Sequence, residues 1–353
     1  MYGILDRYIG KNILYSVTLI SIGLTIFTAI ITVIDKMRYI GRGDVDFFFV
    51  LEYVGYFLPG ILVTFFPVAI LIGGVIGLGF MAKSSEITVM QSVGLSRLNI
   101  AISSLKSLIP LIVIVMLISE YGVAPLERHA ESRLGYLSNG GNVAVTNTGV
   151  WLKEGDSIIG IANTLADGSL AYIYRYDIEG NVLKKEITAR SGTYENGAWL
   201  MHDVTTREIT PERINVYHDE TQTWNLNLNQ ERVEIIGNIN QNQTIKGLID
   251  YISYLEDNHQ DADRFRLELY QKFIAPFSMV VMLLLALSTV FGPLRSINMG
   301  TRILAGIALG FSYYVLNQIV APFSLVYGIS PIFGASFATF IFGALAIYLL
   351  RRN

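Results

Sequence analysis

The chain of 353 residues contains no cysteine, so it has no disulfide, no thiol nucleophile and no thiolate metal site. Charge is scarce as well. Asp, Glu, Lys and Arg make up 16% of the residues, where an ordinary soluble domain carries about 25%. There are four histidines; His202, His218 and His259 fall in an acidic stretch and are expected to be solvated or structural, as is His129. The pattern G-x-x-x-x-G-K-[ST] does not occur, so the chain lacks the P-loop that cradles a nucleotide. H-E-x-x-H, G-x-S-x-G and Cys/His clusters are absent too. The centres of the last three apolar runs hold no acidic residue, which argues against a proton relay or an ion-coupled carrier.

What the chain has in quantity is apolar sequence, 52% of the total. A bilayer crossing needs roughly 20 consecutive apolar residues, and six runs qualify: about 12–34, a stretch within 47–80, and about 98–122, 266–291, 299–320 and 331–350. The first run follows a charged segment at 6–11. It has no A-x-A-like cleavage site and is long for a signal-peptide core, so a retained span is expected, with residues 1–11 as a short interfacial helix leading into it. The second run holds Pro59 and Pro67 and is predicted to tilt or kink. Its Gly73, Gly74, Gly77 and Gly79 would let other helices approach closely.

Between the third and fourth runs the texture changes. Residues 139–263 carry nine basic and 19 acidic side chains, net −10, while the remainder carries 17 against 10, net +7. Short alternating runs at 157–163, 170–177, 182–191, 199–209 and 216–226 are separated by turn signals at Glu154-Gly155-Asp156, Asp167-Gly168, Glu179-Gly180-Asn181 and Asn196-Gly197. This spacing predicts an all-β sandwich, jellyroll or barrel. An amphipathic helix over 244–259 would return the chain to the membrane. The expected fold class is therefore an α-helical polytopic membrane protein of six spans with an inserted all-β domain. Its parts are 1–135 (spans one to three), 136–263 (the β insert and return helix) and 264–353 (spans four to six).

One polar stretch, 81–97, sits between two spans yet reads as a short helix at about 84–94. Ser84 or Ser85 can cap it, Glu86 suits the positive end of the helix dipole, and Gly94 can close it. Ile87, Met90 and Val93 are predicted to share one face. Such a helix can dock a partner; an ordinary connection fits the pattern equally well. With the N-terminus inside, Arg7, Lys11, Lys83, Arg97, Arg295, Arg302, Arg351 and Arg352 all fall on the inner side, as the positive-inside rule requires. Lys36, Arg38 and Arg42 after span one, Arg128 and Arg133 after span three, and Arg264, Arg266 and Lys272 before span four then form a basic collar on the outer side. Arg forks match phosphate oxygens, so the collar is a candidate site for an anionic headgroup, with lipid anchoring and local ion pairs as the plainer reading.

Four motifs carry a resemblance to a known family. Leu5-Asp6-Arg7-Tyr8-Ile9-Gly10-Lys11, Ser85-Glu86-Ile87-Thr88-Val89-Met90-Gln91 with Gly94, Phe291-Gly292-Pro293-Leu294-Arg295-Ser296 with Met299-Gly300, and Leu325-Val326-Tyr327-Gly328-Ile329-Ser330-Pro331 together resemble the lipopolysaccharide-export permeases of the LptF/LptG type, nearer the LptG branch. The resemblance spans the chain; in the β insert it rests on placement and strand pattern. It implies a non-enzymatic subunit of an inner-membrane ABC transporter with both termini cytoplasmic and a periplasmic jellyroll. The implied partners are a homologous permease (LptF), a dimer of the ATPase LptB, LptC, and lipopolysaccharide as cargo. The chain itself is expected to bind no cofactor; ATP and Mg belong to the ATPase. The ATPase-docking positions implied are Ser85, Glu86, Ile87, Met90, Gln91 and Gly94, with Glu86 as the charged contact. For the lipid the resemblance implies the basic residues Lys36, Arg38, Arg42, Arg128 and Arg133. Thr32 stands where related LptG chains have a basic residue, which leaves Lys36 or Arg38 to replace it. Phe27, Phe65, Phe66, Phe311 and Tyr314 are candidates for acyl-chain contact, against packing or bilayer contact as the alternative.

Three other readings compete. The chain could be a mechanotransmission permease that drives a periplasmic process without moving lipid through its spans. It could be a membrane enzyme acting on a lipid headgroup, but it lacks a convergent set of carboxylate, His, Ser or metal ligands. It could be an anchored β adaptor, which would need fewer than six spans.

Overall fold

The computed structural model describes residues 3–138, 150–154, 157–164, 169–179, 182–195, 197–226, 243–291 and 298–351. The turn signals at 155–156, 167–168, 180–181 and 196, the motif residues 292–296, and Arg352 lie outside them. Nine α-helices occur among the described residues: α1 Ile4–Lys36, α2 Phe47–Lys83, α3 Glu86–Ser92, α4 Arg97–Leu117, α5 Ala124–Ser138, α6 Ile245–Asp257, α7 Asp263–Phe291, α8 Met299–Val326 and α9 Pro331–Arg351. Among the described residues six strands stand between α5 and α6: β1 Val150–Glu154, β2 Ser157–Thr164, β3 Leu170–Glu179, β4 Val182–Glu195, β5 Ala198–Ile209 and β6 Ile214–Trp224. Contacts divide the chain into two compact units. One comprises Met1–Lys36, Val54–Leu126 and Asp263–Asn353; the other comprises Met37–Tyr53 and Glu127–Ala262.

Among the described residues, six helical segments are long and apolar enough to cross a membrane. The chain is thus a polytopic membrane protein with an inserted β domain, as its apolar runs foretell. The expected interfacial helix at 1–11 is not a separate element, because α1 runs unbroken from Ile4 to Lys36. α2 is one helix of 37 residues despite Pro59 and Pro67. A six-residue π-helical segment, Ile118–Val123, joins α4 to α5.

The membrane unit is held mainly by one large apolar core. Ile9, Ile13 and Val17 of α1 meet Ile70, Val75 and Leu78 of α2, Ile100 and Leu108 of α4, and Met282, Leu283 and Ala286 of α7. The glycines of α2 permit this because they face three different helices. A Cβ on Gly73 would stand 2.6 Å from Val17 Cα, one on Gly74 2.8 Å from Ala286 Cβ, and one on Gly79 2.9 Å from the Met299 side chain. With no Cβ at these positions the helix axes close in, which is how apolar helices associate when the surrounding lipid is as apolar as they are.

Among the ion pairs of the described residues in this unit, one has both side chains largely buried. Lys272 Nζ of α7 is 3.5 Å from Glu120 Oε2 in the π segment, with the two side chains 18% and 21% exposed. Lys272 is therefore tied to a carboxylate rather than presented as part of a collar. Glu120→Gln or Lys272→Met alone should destabilise the protein by on the order of 2 kcal/mol, somewhat below the roughly 3–5 kcal/mol of a fully buried pair. The double variant should lose less than the sum of the singles, as read by thermal unfolding in detergent.

In the β unit the strands pair antiparallel in chain order, β1 to β6, forming one meander. No crossing connection between strands occurs among the described residues. The inward face changes phase along one line. Leu170, Gly192 and Met201 are register partners and buried, and so are Ile173, Ala189 and Val204, three residues further along. A strict alternation would break between them. Tyr172 and Asp203 absorb the mismatch with φ of 55° each, outside the extended region. The sheet bends there and keeps the same face apolar on both sides. Trp199 and Trp224, directly opposite in β5 and β6, close one end of that face.

Candidate functional site

The stretch singled out in the sequence folds as α3, seven residues long. Its end is as expected. Gly94 adopts φ +99°, its N–H donates to Gln91 O, and the Leu95 N–H donates to Met90 O. This left-handed termination satisfies the last carbonyls of the helix. Its start differs from expectation. Ser85 takes a left-handed conformation with φ 62° and makes no side-chain cap bond. The Ser84 hydroxyl instead donates to Glu86 Oε1 at 2.8 Å.

The faces of α3 also differ from the simple count. Ile87 and Met90 are 5% and 9% exposed and belong to the membrane core. They seat α3 on the bundle and are not available to an external partner, which corrects their assignment as docking contacts. Val93 does not join them; it is 79% exposed, and Val89 is 60% exposed. The outward surface is therefore Val89, Ser92 and Val93, with Thr88 exposed at the edge of a cavity beneath α3. Gln91 is half-buried and lines that cavity of about 360 Å³, together with Lys83, Ile87, Phe291, Asn298 and Arg302. Ser85 and Gly94 are exposed at the two ends of α3.

Glu86 is held by its own chain. Tyr8 of α1 donates its hydroxyl to Glu86 Oε2 at 2.8 Å, opposite the Ser84 bond to Oε1. The first turn of α1 is fixed in turn to α4. Ser103 donates to the Asp6 carboxylate, Ser107 donates to the Asp6 carbonyl at 3.1 Å, and Lys106 Nζ lies 3.8 Å from Asp6 Oδ2. None of these contacts was read from the sequence. The LDRYIGK motif was the available signal, since it sets Asp6 and Tyr8 two residues apart beside Gly10.

The basic collar is arranged differently from a free cluster. Lys36 ends α1. Arg38 and Arg42 place their guanidinium carbons 5.2 and 5.1 Å from the centroid of one ring, Tyr39. The backbone N–H of Asp44 donates to Leu137 O, which holds this loop against the end of α5. On α5, Arg133 is paired with Glu52 and lies 5.6 Å from the Phe49 ring, while the neighbouring Tyr53 donates to Glu131. Arg128 is half-buried. Arg264 and Arg266 pair with Glu268 and Asp263 at 3.8 and 2.8 Å. The structure thus brings Arg38 and Arg42 together, both of them exposed, and commits Arg133, Arg264 and Arg266 to carboxylates.

The aromatic candidates also separate. Phe66 is 2% exposed and part of the core, so it cannot meet an acyl chain, a correction to its assignment. Phe65 and Tyr314 stack on each other with centroids 5.2 Å apart, joining α2 to α8. Phe27 of α1 and Phe311 of α8 are exposed on the outside of the bundle. Thr32 donates its hydroxyl back to Thr28 O, a bond within α1.

The profile of the family described as "Lipopolysaccharide export system permease LptF/LptG" matches residues 7–352. The lipopolysaccharide export system permease protein LptG of Haemophilus influenzae is 36% identical, over 100% of this chain and 99% of its own length. The protein of the same name from Escherichia coli K12 is 35% identical, again over 100% of this chain and 99% of its own length. With identity at this level from end to end, and the family profile matching nearly the whole chain, the chain belongs to the lipopolysaccharide export system permease LptF/LptG family.

Proposed function

We propose that this chain is the LptG-type permease half of an inner-membrane ABC transporter that extracts lipopolysaccharide and passes it to a β-domain path toward the outer membrane. A homologous permease of the LptF type forms the other half of the cavity. Two copies of an LptB-type ATPase bind and hydrolyse ATP with Mg, and an LptC-type subunit attends the gate. Both termini and α3 face the cytoplasm, and the β domain faces the periplasm. The positive-inside bias of Arg7, Lys11, Lys83, Arg97 and Arg302 supports this orientation.

The observation that carries the reading is the construction of α3. It is seated on the core of the bundle by Ile87 and Met90, its carboxylate is fixed by two hydroxyls, and its far side is an exposed strip with Val89 and Val93. A helix held this way passes a displacement to α2 and α4 rather than bending away from it. A second observation agrees. Of the most apolar stretch in each helix, α1 and α8 bury only 17% within the chain, against 67% for α2. We assign these two helices, the first and fifth spans, to the gates, where lipid and the partner permease would meet the chain. The lipid phosphates are assigned to Lys36, Arg38 and Arg42, and the acyl chains to the faces bearing Phe27 and Phe311.

Changing Lys36 and Arg38 together to Glu should lower photocrosslinking of lipopolysaccharide to α1 severalfold and reduce cargo-stimulated ATP hydrolysis by the assembled transporter. Each cation near a phosphate contributes a charge-assisted bond of about 1.5–3 kcal/mol. Unchanged crosslinking and unchanged stimulation would leave these residues as lipid anchors.

A further inference from the structure

We infer that Tyr8 is a positioning residue for energy coupling, a latch through which displacement of α3 reaches the gate helix α1 directly. This rests on the permease reading above and adds a route to it. A movement of α3 otherwise reaches the bundle through its chain neighbours α2 and α4 and through the non-directional packing of Ile87 and Met90 in the core. α1 is distant in sequence and has no covalent share in that path. The Tyr8 hydroxyl bonded to Glu86 Oε2 supplies a direct tie across 78 residues.

Three features make the tie mechanical rather than decorative. Tyr8 is 44% exposed and absent from the apolar core, so the hydroxyl–carboxylate bond is its directional contact with α3. The other oxygen of Glu86 is restrained by the Ser84 hydroxyl at 2.8 Å, the shortest of the three contacts that hydroxyl makes. α1 is one unbroken helix from Ile4 to Lys36, a rod of about 50 Å at 1.5 Å per residue. A shift applied at Tyr8 is therefore delivered to the far end, where Lys36 stands. Asp6, bound to Ser103, Ser107 and Lys106 of α4, fixes the neighbouring turn of α1, so the rod pivots about α4 while α3 pushes on Tyr8. At the opposite end of α3, Gly94 at φ +99° with open space around it is the joint where α3 would swing on its own if the latch were cut.

Tyr8→Phe keeps the ring and removes only the hydroxyl. It is to be tested in the whole transporter, the chain assembled with its partner permease and ATPase, in lipid vesicles containing lipopolysaccharide. The measured quantities are ATPase recovered with the chain, ATP hydrolysed and lipopolysaccharide released. The latch predicts wild-type ATPase recovery with at least a threefold fall in lipopolysaccharide released per ATP hydrolysed. An unchanged ratio overturns it. A loss of release that only follows a loss of bound ATPase also overturns it, because Tyr8 would then serve docking or folding alone. If the unaltered assembly releases no lipopolysaccharide with ATP, the permease reading itself fails, an outcome separate from the behaviour of the variant.

Discussion

Glu86→Lys should cut the amount of ATPase recovered with the chain at least tenfold while the chain still inserts and purifies. Two losses combine in this variant. Within the chain, Tyr8 and Ser84 lose the acceptor they share, so the polar tie between α3 and α1 is cut. At the proposed interface a carboxylate becomes an ammonium, and removing one partner of a hydrogen-bonded charge pair at an interface costs about 2–5 kcal/mol. Fold and insertion should survive, because the seat of α3 is made by Ile87 and Met90, which the substitution does not touch. Glu86→Gln separates the two effects. Its amide oxygen still accepts from one hydroxyl, so the loss of ATPase should be smaller than with Lys. Undiminished assembly and transport in Glu86→Lys would count against docking at α3.

Gly73→Ala should be among the most destabilising single-methyl additions in the membrane unit. The added Cβ would stand 2.6 Å from Val17 Cα and 2.7 Å from Val17 N. Both are backbone atoms, so no rotamer change relieves the contact, and α1 and α2 must part instead. Overpacking a core costs about 1–3 kcal/mol when side chains can adjust, and here the upper end or beyond is expected. Gly23→Ala is the control. Nothing lies within 4 Å of its would-be Cβ, and replacing Gly by Ala in a helix interior favours the helix by about 0.8–1 kcal/mol. The apparent melting midpoint in detergent should fall clearly for Gly73→Ala and hold or rise for Gly23→Ala. Equal midpoints would mean that α1 and α2 do not cross at Gly73.

The spans were legible because a bilayer demands long apolar runs, and α2, α4 and α7 to α9 lie where those runs are. Five of the six strands were legible from alternation between turn signals. β1 was not, because Val150–Glu154 is only five residues long and mixes Trp151 with Lys153 and Glu154. The inner face of α3 was half legible. Ile87 and Met90 lie about 60° apart around a helix that turns about 100° per residue, and they are buried together. Val93 lies about 120° from Ile87 on the same count and falls at the C-cap, so it points away. Phe65 and Phe66 show the same limit. Neighbours on a helix point in different directions, and only the packing decides that Phe66 is enclosed while Phe65 meets Tyr314.

The collar was the least legible feature. Charge counting finds basic residues but not their partners. Glu52 is 81 residues from Arg133, and Glu120 is 152 from Lys272. Pairing over such separations follows from how α2, α5 and α7 fold back, which the spacing of charges along the chain does not encode. The Tyr8–Glu86 bond belongs to the same class, formed by residues 78 apart from two motifs that in sequence look unrelated.

The most direct measurement is lipopolysaccharide release from vesicles holding this chain with its partner permease, with and without the ATPase. The account predicts no ATP hydrolysis and no release without the ATPase, and release that depends on ATP when it is added. ATP hydrolysis by the permease pair alone, or hydrolysis by the full assembly with lipopolysaccharide left in the membrane, would contradict it.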